Sequence, residues 1–300
     1  MPYATMRDGA PLHYYDLGRR RAPPCVLLHG FAMTGAAWLP FVAPLLARYR
    51  FILPDLRGFG RSHRLRLSQN VLLDQHADDL ADLLQALDLH RVHLGGLSMG
   101  ACTSMQFHRR HGFDRVRAYL HIDQSPCVLN GPDWTHGLLG AEQAQGLLDM
   151  LALADQLEPY RGEPYRALPR ALRRRMWAHL ATFYRHAFHR KHWQHLAGLA
   201  QHELLIRRIA RVDNWSIYLD CVRSYARDGY DWRASLPEMK VPVTALVGLQ
   251  STMYPAAGQL ALRELVPHAR VLPIDNCGHA VPFEQPRRFV AELGRFLMAA

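Results

Sequence analysis

Short apolar runs alternate with amphipathic stretches along the first 125 residues. Cys25–His29 (CVLLH), Phe51–Asp55 (FILPD), Val92–Gly96 (VHLGG) and Val116–Asp123 (VRAYLHID) are leucine-rich or β-branched and closed by Gly, Asp or Pro, the pattern of buried strands. Between them Ala36–Arg48, Val71–Leu89 and Met99–His111 carry apolar residues at helical spacing. In the second of these, Leu73, Ala77, Leu80, Leu84 and Leu87 form one face, and Asp74, Asp78 and Asp82 are expected to face water. Strands alternating with helices predict a mostly parallel sheet covered on both sides.

The rhythm breaks near Cys127. From there to about Ser235 the chain is helical in character and crowded with Arg, His and Trp. It resumes with a strand at Val241–Gly248, a helix at Ala256–Leu265, a strand at Arg270–Ile274 and a last helix at Phe283–Met298, with Pro237 and Pro242 at the re-entry. A structureless loop of that length is implausible, so residues 127–235 are expected to fold as a helical cap inserted into a core of residues 1–126 and 236–300.

Composition narrows the class. With 300 residues, 49% hydrophobic and 21% charged, the chain has globular composition and is long enough for a full core without staples. No apolar run approaches the ~18 residues of a membrane span. Met1–Gly9 lacks a basic-then-apolar signal pattern, and the five cysteines are scattered without a CxxC pair. A cytoplasmic protein without disulfide framework or structural zinc is the expectation. The net charge of +10 is carried by arginine, since only Lys191 and Lys240 are lysines. An anionic substrate would fit that charge; nucleic acid is not expected, because no basic stripe is interleaved with aromatics.

Gly96-Leu97-Ser98-Met99-Gly100 follows a predicted strand and opens a predicted helix. A serine hydroxyl becomes a useful nucleophile when a sharp turn exposes it beside a base, and such a turn needs small residues two positions to either side. The following helix start offers the Met99 N–H to a developing oxyanion.

On these residues the chain resembles the α/β-hydrolase superfamily, and further segments match. His29-Gly30-Phe31 is similar to the family's HG-X turn, which implies that the Phe31 and Met99 N–H groups form the oxyanion hole. Asp55–Ser62 (DLRGFGRS) resembles its D-x-R-G-x-G-x-S loop, with an expected structural role. Asn276-Cys277-Gly278-His279 with Glu284-Gln285-Pro286 resembles the carboxy-terminal segment that carries the histidine base, which assigns that role to His279.

The triad acid departs from the family pattern. Where relatives read G-x-x-D-x-x-x-P, this chain reads Gly248-Leu249-Gln250-Ser251-Thr252-Met253-Tyr254-Pro255, with Ser251 in the acid's position. A serine cannot stabilise an imidazolium as a carboxylate does. Asp123, at the end of the Val116–Asp123 strand, is the best replacement, because strand ends on that side of a parallel sheet surround the site. Some dehalogenases and lactone hydrolases of the superfamily have a similar arrangement. The alternatives are that Asp123 only caps its turn, that Asp220, Asp228 or Asp231 supplies the charge, or that the site is an acid-free dyad. Asp275 is too near His279 in the chain to serve.

Other features have plainer readings. His186, His189, His192 and His195 recur every third residue, with His179 and His202 flanking; on a helix they fan across half the circumference, so a titratable polar face is expected rather than a metal site. Arg166, Arg170 and Arg173–Arg175 read as a solvated helix face, the alternative being attraction of an anionic substrate. Cys102 and Cys277 adjoin the catalytic segments without a base of their own and read as structural thiols. Met33, Trp38, Trp134, Met253 and Phe283 are candidates for an acyl pocket. The resulting expectation is a cofactor-independent, metal-free carboxylic ester hydrolase working through Ser98, His279 and Asp123. Lactonase, thioesterase, acyltransferase and non-catalytic ligand binding remain as alternatives, and oligomeric state is left open.

Overall fold

The computed structural model describes residues 2–198 and 214–299. Eight strands form one sheet: β1 (Tyr3–Thr5), β2 (Pro11–Leu17), β3 (Pro24–Leu28), β4 (Arg50–Pro54), β5 (Val92–Leu97), β6 (Val116–Ile122), β7 (Val243–Gly248) and β8 (Arg270–Ile274). Their order across the sheet is β1-β2-β4-β3-β5-β6-β7-β8. The pairs β1–β2 and β2–β4 are antiparallel, and from β4 to β8 every pairing is parallel. The central strands are apolar on both faces because helices cover both; every residue of β5 and β7 is buried.

The helices, numbered in chain order, are α1 (Leu39–Val42), α2 (Leu72–Ala86), α3 (Met99–His111), α4 (Gln143–Leu157), α5 (Arg170–Ala187), α6 (Lys191–Gly198), α7 (Ser216–Arg227), α8 (Ala256–Leu260), α9 (Leu262–Leu265), α10 (Val281–Glu284) and α11 (Pro286–Met298). On one side of the sheet Leu73, Leu80, Leu84, Met105 and Phe107 of α2 and α3 join the larger core. On the other, Phe41 and Val42 of α1 meet Phe289, Leu293 and Phe296 of α11. Helices α4 to α7 lie between β6 and β7 in sequence. Leu153, Leu157, Met176, Trp177, Leu180 and Leu219 give them an apolar cluster of their own.

Several expectations change in detail. The helix expected at Ala36–Arg48 breaks into two 3₁₀ turns around α1, because Pro40 and Pro44 lack the N–H groups that a continuous helix needs. The expected helix at Ala256–Leu265 divides into α8 and α9, and that at Phe283–Met298 begins as α10 and restarts at Pro286. The β1–β2 hairpin has no clear sequence signal, since β2 buries His13, whose Nδ1 pairs with Asp55 Oδ2 at 2.8 Å, and this blurs the alternation.

The aspartates of α2 are paired, and Asp74 and Asp82 are only partly exposed. Asp78 is 3% exposed; it takes Arg110 Nη2 at 3.0 Å and His111 Nε2 at 2.6 Å, while Asp74 takes Arg110 Nη1 at 2.9 Å. Asp82 receives the Arg7 guanidinium at 2.9 Å. The acidic stripe is a seam that ties α2 to the end of α3 and to the amino terminus. Beside it the Arg57 guanidinium, 2% exposed, pairs with Asp79 at 2.7 Å and Asp8 at 2.9 Å. Burial nevertheless outweighs the guanidinium at Asp79 and holds that carboxyl above its usual range.

Two of the fully buried imidazoles link stability to acid. His76 Nε2–H donates to the Arg57 carbonyl at 3.0 Å. His121 bridges the Gln124 carbonyl at 2.7 Å and the Tyr119 hydroxyl at 3.0 Å. Burial lowers both to about 4 from an ordinary 6.5, so the folded protein binds these protons later than the unfolded chain does. Their contribution to stability is complete above pH 6.5 and is lost as the pH falls toward 4. Thermal denaturation across that interval should give a steadily falling Tm, and the slope should flatten in His76→Asn and in His121→Asn. An unchanged slope in both variants would refute this assignment.

Candidate active site

Strand β5 ends at Leu97 and α3 begins at Met99, so Ser98 alone turns the chain, at φ 53° and ψ −118°. A side chain larger than hydrogen at Gly96 would sit 2.3 Å from the Gly100 carbonyl oxygen, and one at Gly100 would sit 2.3 Å from that of Leu28. The two glycines are therefore required by close backbone approach. The Ser98 N–H donates to the Ile122 carbonyl at 3.1 Å, which ties the turn to the end of β6. Ser98 keeps 9% exposure. Such strain in a non-glycine residue survives only where its surroundings enforce it.

Asp123 follows β6 directly, at φ 45°, and is completely buried. Its Oδ2 accepts from His279 Nδ1 at 2.7 Å and from the Ser251 hydroxyl at 2.9 Å, while its Oδ1 accepts from the Gly248 N–H at 2.7 Å. An ionised carboxylate only accepts, so the pairing puts the neutral ring's proton on Nδ1 and leaves Nε2 with a free lone pair. The other carboxylates considered are engaged elsewhere: Asp220 with Arg161 at 2.9 Å, Asp231 with Arg233 at 2.7 Å, and Asp228 with the Tyr230 hydroxyl at 3.0 Å. Asp275 accepts from Gln250 Nε2 at 2.9 Å on the surface.

The loop carrying His279 is held by a residue whose sequence role was only motif membership. Glu284 is 2% exposed and accepts from the Gly278 N–H at 2.6 Å, from the Arg190 N–H at 2.7 Å and from the His189 N–H at 3.0 Å. The Ala280 N–H donates to the Ala187 carbonyl at 2.8 Å. The histidine loop is thus stitched to the junction of α5 and α6. Below it, Gln250 and Cys277 exchange hydrogen bonds, both at 3.0 Å. Burial pushes the Cys277 thiol up and raises that of Cys102 to about 12, so neither supplies a thiolate.

Met99 supplies the first N–H of α3, a position where helices leave their donors unpaired. The Phe31 N–H has no protein acceptor among the described residues. Ser98 opens onto a small apolar cavity walled by Phe31, Leu138, Phe183, Tyr225, Met253 and Tyr254, among others. Of the expected pocket residues, Met253 lines this cavity. The Met33 sulfur lies 3.2 Å from where a side chain at Gly30 would begin, beside the Phe31 turn. Phe283 packs edge-on against Phe41 at 5.3 Å and does not reach the cavity. Trp38 lies in the core on the α11 side, stacked on Phe289 at 5.8 Å. Trp134 lies under the Arg233 guanidinium at 5.1 Å, away from Ser98. The sequence did not point to Leu138, Phe183 or Tyr225, because nothing local relates α5 or α7 to β5.

Among the described residues no group of His, Cys, Asp or Glu could hold a metal ion. His186 Nδ1 lies 3.3 Å from the Thr252 hydroxyl and His195 Nδ1 lies 2.6 Å from the Lys191 carbonyl; His202 is outside the described residues. Arg166, Arg170, Arg174 and Arg175 are exposed, and Arg173 lies over the Tyr165 ring at 5.5 Å. The five cysteines are all free and buried, and no described helix is long and apolar enough to cross a membrane.

Known proteins fit this architecture. The chain is 38% identical over 130 residues to the non-heme chloroperoxidase CPO-A1 of Kitasatospora aureofaciens, a match covering 43% of this chain and 46% of that protein. It therefore spans about half the length of this relative. It is 25% identical over 279 residues to the pimeloyl-(acyl-carrier protein) methyl ester esterase of Aeromonas hydrophila, covering 92% and 96% of the two chains. The structure of a thermophilic esterase from Thermogutta terrifontis superposes with a TM-score of 0.72 at 24% identity, covering 99% of this chain and 97% of that one. A family model for the alpha/beta hydrolase fold matches residues 23–286, which contain Ser98, Asp123 and His279 within the sheet and turns just described: the chain belongs to the alpha/beta hydrolase fold family.

Proposed function

We propose that the protein is a carboxylic ester hydrolase that works through an acyl-enzyme on Ser98. His279 Nε2 takes the serine proton as the hydroxyl attacks the ester carbonyl, then delivers it to the leaving alcohol. Asp123 fixes the ring's tautomer and stabilises the imidazolium. The N–H groups of Phe31 and Met99 receive the charge that develops on the carbonyl oxygen. Water, activated by the same ring, releases the acid. Residues 127–235 act as the cap that roofs the acyl pocket over a core of residues 1–126 and 236–300.

The observation that carries this reading is the 2.7 Å contact between His279 Nδ1 and a buried Asp123 carboxylate that also accepts from Ser251 and Gly248. The residue standing where relatives place an acid thus serves the relocated one. Support also comes from the named esterase relative, which aligns over 92% of this chain.

Three measurements test it. A fluorophosphonate should label wild-type protein stoichiometrically and leave Ser98→Ala unlabelled. Asp123→Asn should lower kcat for nitrophenyl esters by about 10³–10⁴ with the fold intact, whereas Ser251→Ala should lose less than about tenfold. The reverse ranking would refute the relocation. Restoring an acid in the usual place, as Asp123→Asn with Ser251→Asp, should recover at least about tenfold over Asp123→Asn alone.

A further inference from the structure

Beyond Phe31, the cavity at Ser98 has a neighbour. A second, small apolar space lies among the helices of residues 127–235, and Phe31, Met150, Phe183 and Val222 belong to the walls of both. We infer that these four residues form a neck between two compartments of a single acyl site, and that the inner chamber takes the unbranched tail of a fatty acyl ester whose carbonyl sits at Ser98. This rests on the ester-hydrolase reading and adds the substrate class.

The chamber's chemistry selects such a tail. Leu153, Leu157, Met176, Leu180 and Leu219 of α4, α5 and α7 all line it. The Trp177 indole N–H, also on that wall, is already bonded to the Tyr165 hydroxyl at 2.5 Å. His179 and Tyr218 are its titratable groups, and burial drives both toward their uncharged forms. A charged or polar tail would lose its hydration there without compensation. The outer groove that also borders Met150 and Phe183 is walled by Glu142, Gln145 and Asp149, and is a poorer place for hydrocarbon.

The neck can open without moving a helix. Met150 is unbranched and repacks easily. The Phe183 ring meets Phe31 edge-on at 5.2 Å, and Tyr218 meets Phe31 at 5.5 Å, so rotation of one ring gives passage. Because Phe31 also offers the proposed oxyanion N–H, a tail threaded past its ring packs against the residue that receives the carbonyl charge.

The experiment is a series of straight-chain nitrophenyl esters from acetate to dodecanoate. Wild-type kcat/KM should rise by up to about fourfold per added methylene until the chamber is filled. Ala154→Phe, which fills the chamber from α4, should lower the dodecanoate-to-acetate ratio at least tenfold. Met176→Ala should move the optimum to longer chains, and stands in if Ala154→Phe fails to fold. Arg174→Ala, on the exposed side of α5, is the control. A readout independent of turnover is the Tm increase given by decanol, expected in wild type and absent in Ala154→Phe. A profile that is flat or falls with chain length, or a ratio unmoved by both chamber variants, would overturn the inference. Decanol protection without hydrolysis of any ester would sink the hydrolase reading while supporting the chamber.

Discussion

One buried carboxylate gathers two segments that lie far from it in the chain. Asp123 has no solvent, so its oxygens depend on donors from the protein, and these come from Gly248 and Ser251 at the end of β7 and just beyond it, and from His279 in the loop after β8. Its own N–H is fixed to Leu246 at 2.9 Å, and the residue before it receives the Ser98 N–H at 3.1 Å. The parallel sheet sets strand order, and this anion sets how the strand ends are turned toward one another. A neutral side chain of the same shape would leave the imidazole without a charge partner and Gly248 with a weakened acceptor.

Backbone strain concentrates around the same point. Ala32, Ser98, Asp123 and Asn276 all have positive φ without being glycine, and each belongs to a loop at this end of the sheet. Neighbouring glycines permit the distortion: Gly96, Gly100 and Gly248 each leave no space for a side chain beside the opposing backbone. The packing of β3, β5 and β7 thus sustains conformations that the local sequence would avoid.

What could be read from the chain follows from how local each signal is. The strands β3 to β8 are short, mostly apolar segments closed by Gly, Asp or Pro, and the Ser98 turn depends on residues two positions away, so both were legible. The contact between Asp123 and His279 was legible because Asp123 closes β6 on the side of the sheet where strand ends surround Ser98, while Ser251 stands uncharged where the family resemblance places an acid. The β1–β2 hairpin was hidden because His13 is buried for the sake of Asp55. The acidic stripe of α2 misled because its partners, Arg110, His111 and Arg7, are distant in sequence. Trp38 and Trp134 illustrate the same limit: their nearness to the glycine turns in sequence carried no information about which layer would take them.

Glu284 draws a mechanical consequence from these contacts. Its two oxygens hold the backbone of Gly278 together with that of His189 and Arg190, so the imidazole loop and the α5–α6 junction move as one body. Any displacement of α5 or α6 at that knot is therefore passed to the loop that carries His279, so the distance from that ring to Ser98 depends on how the helical segment sits.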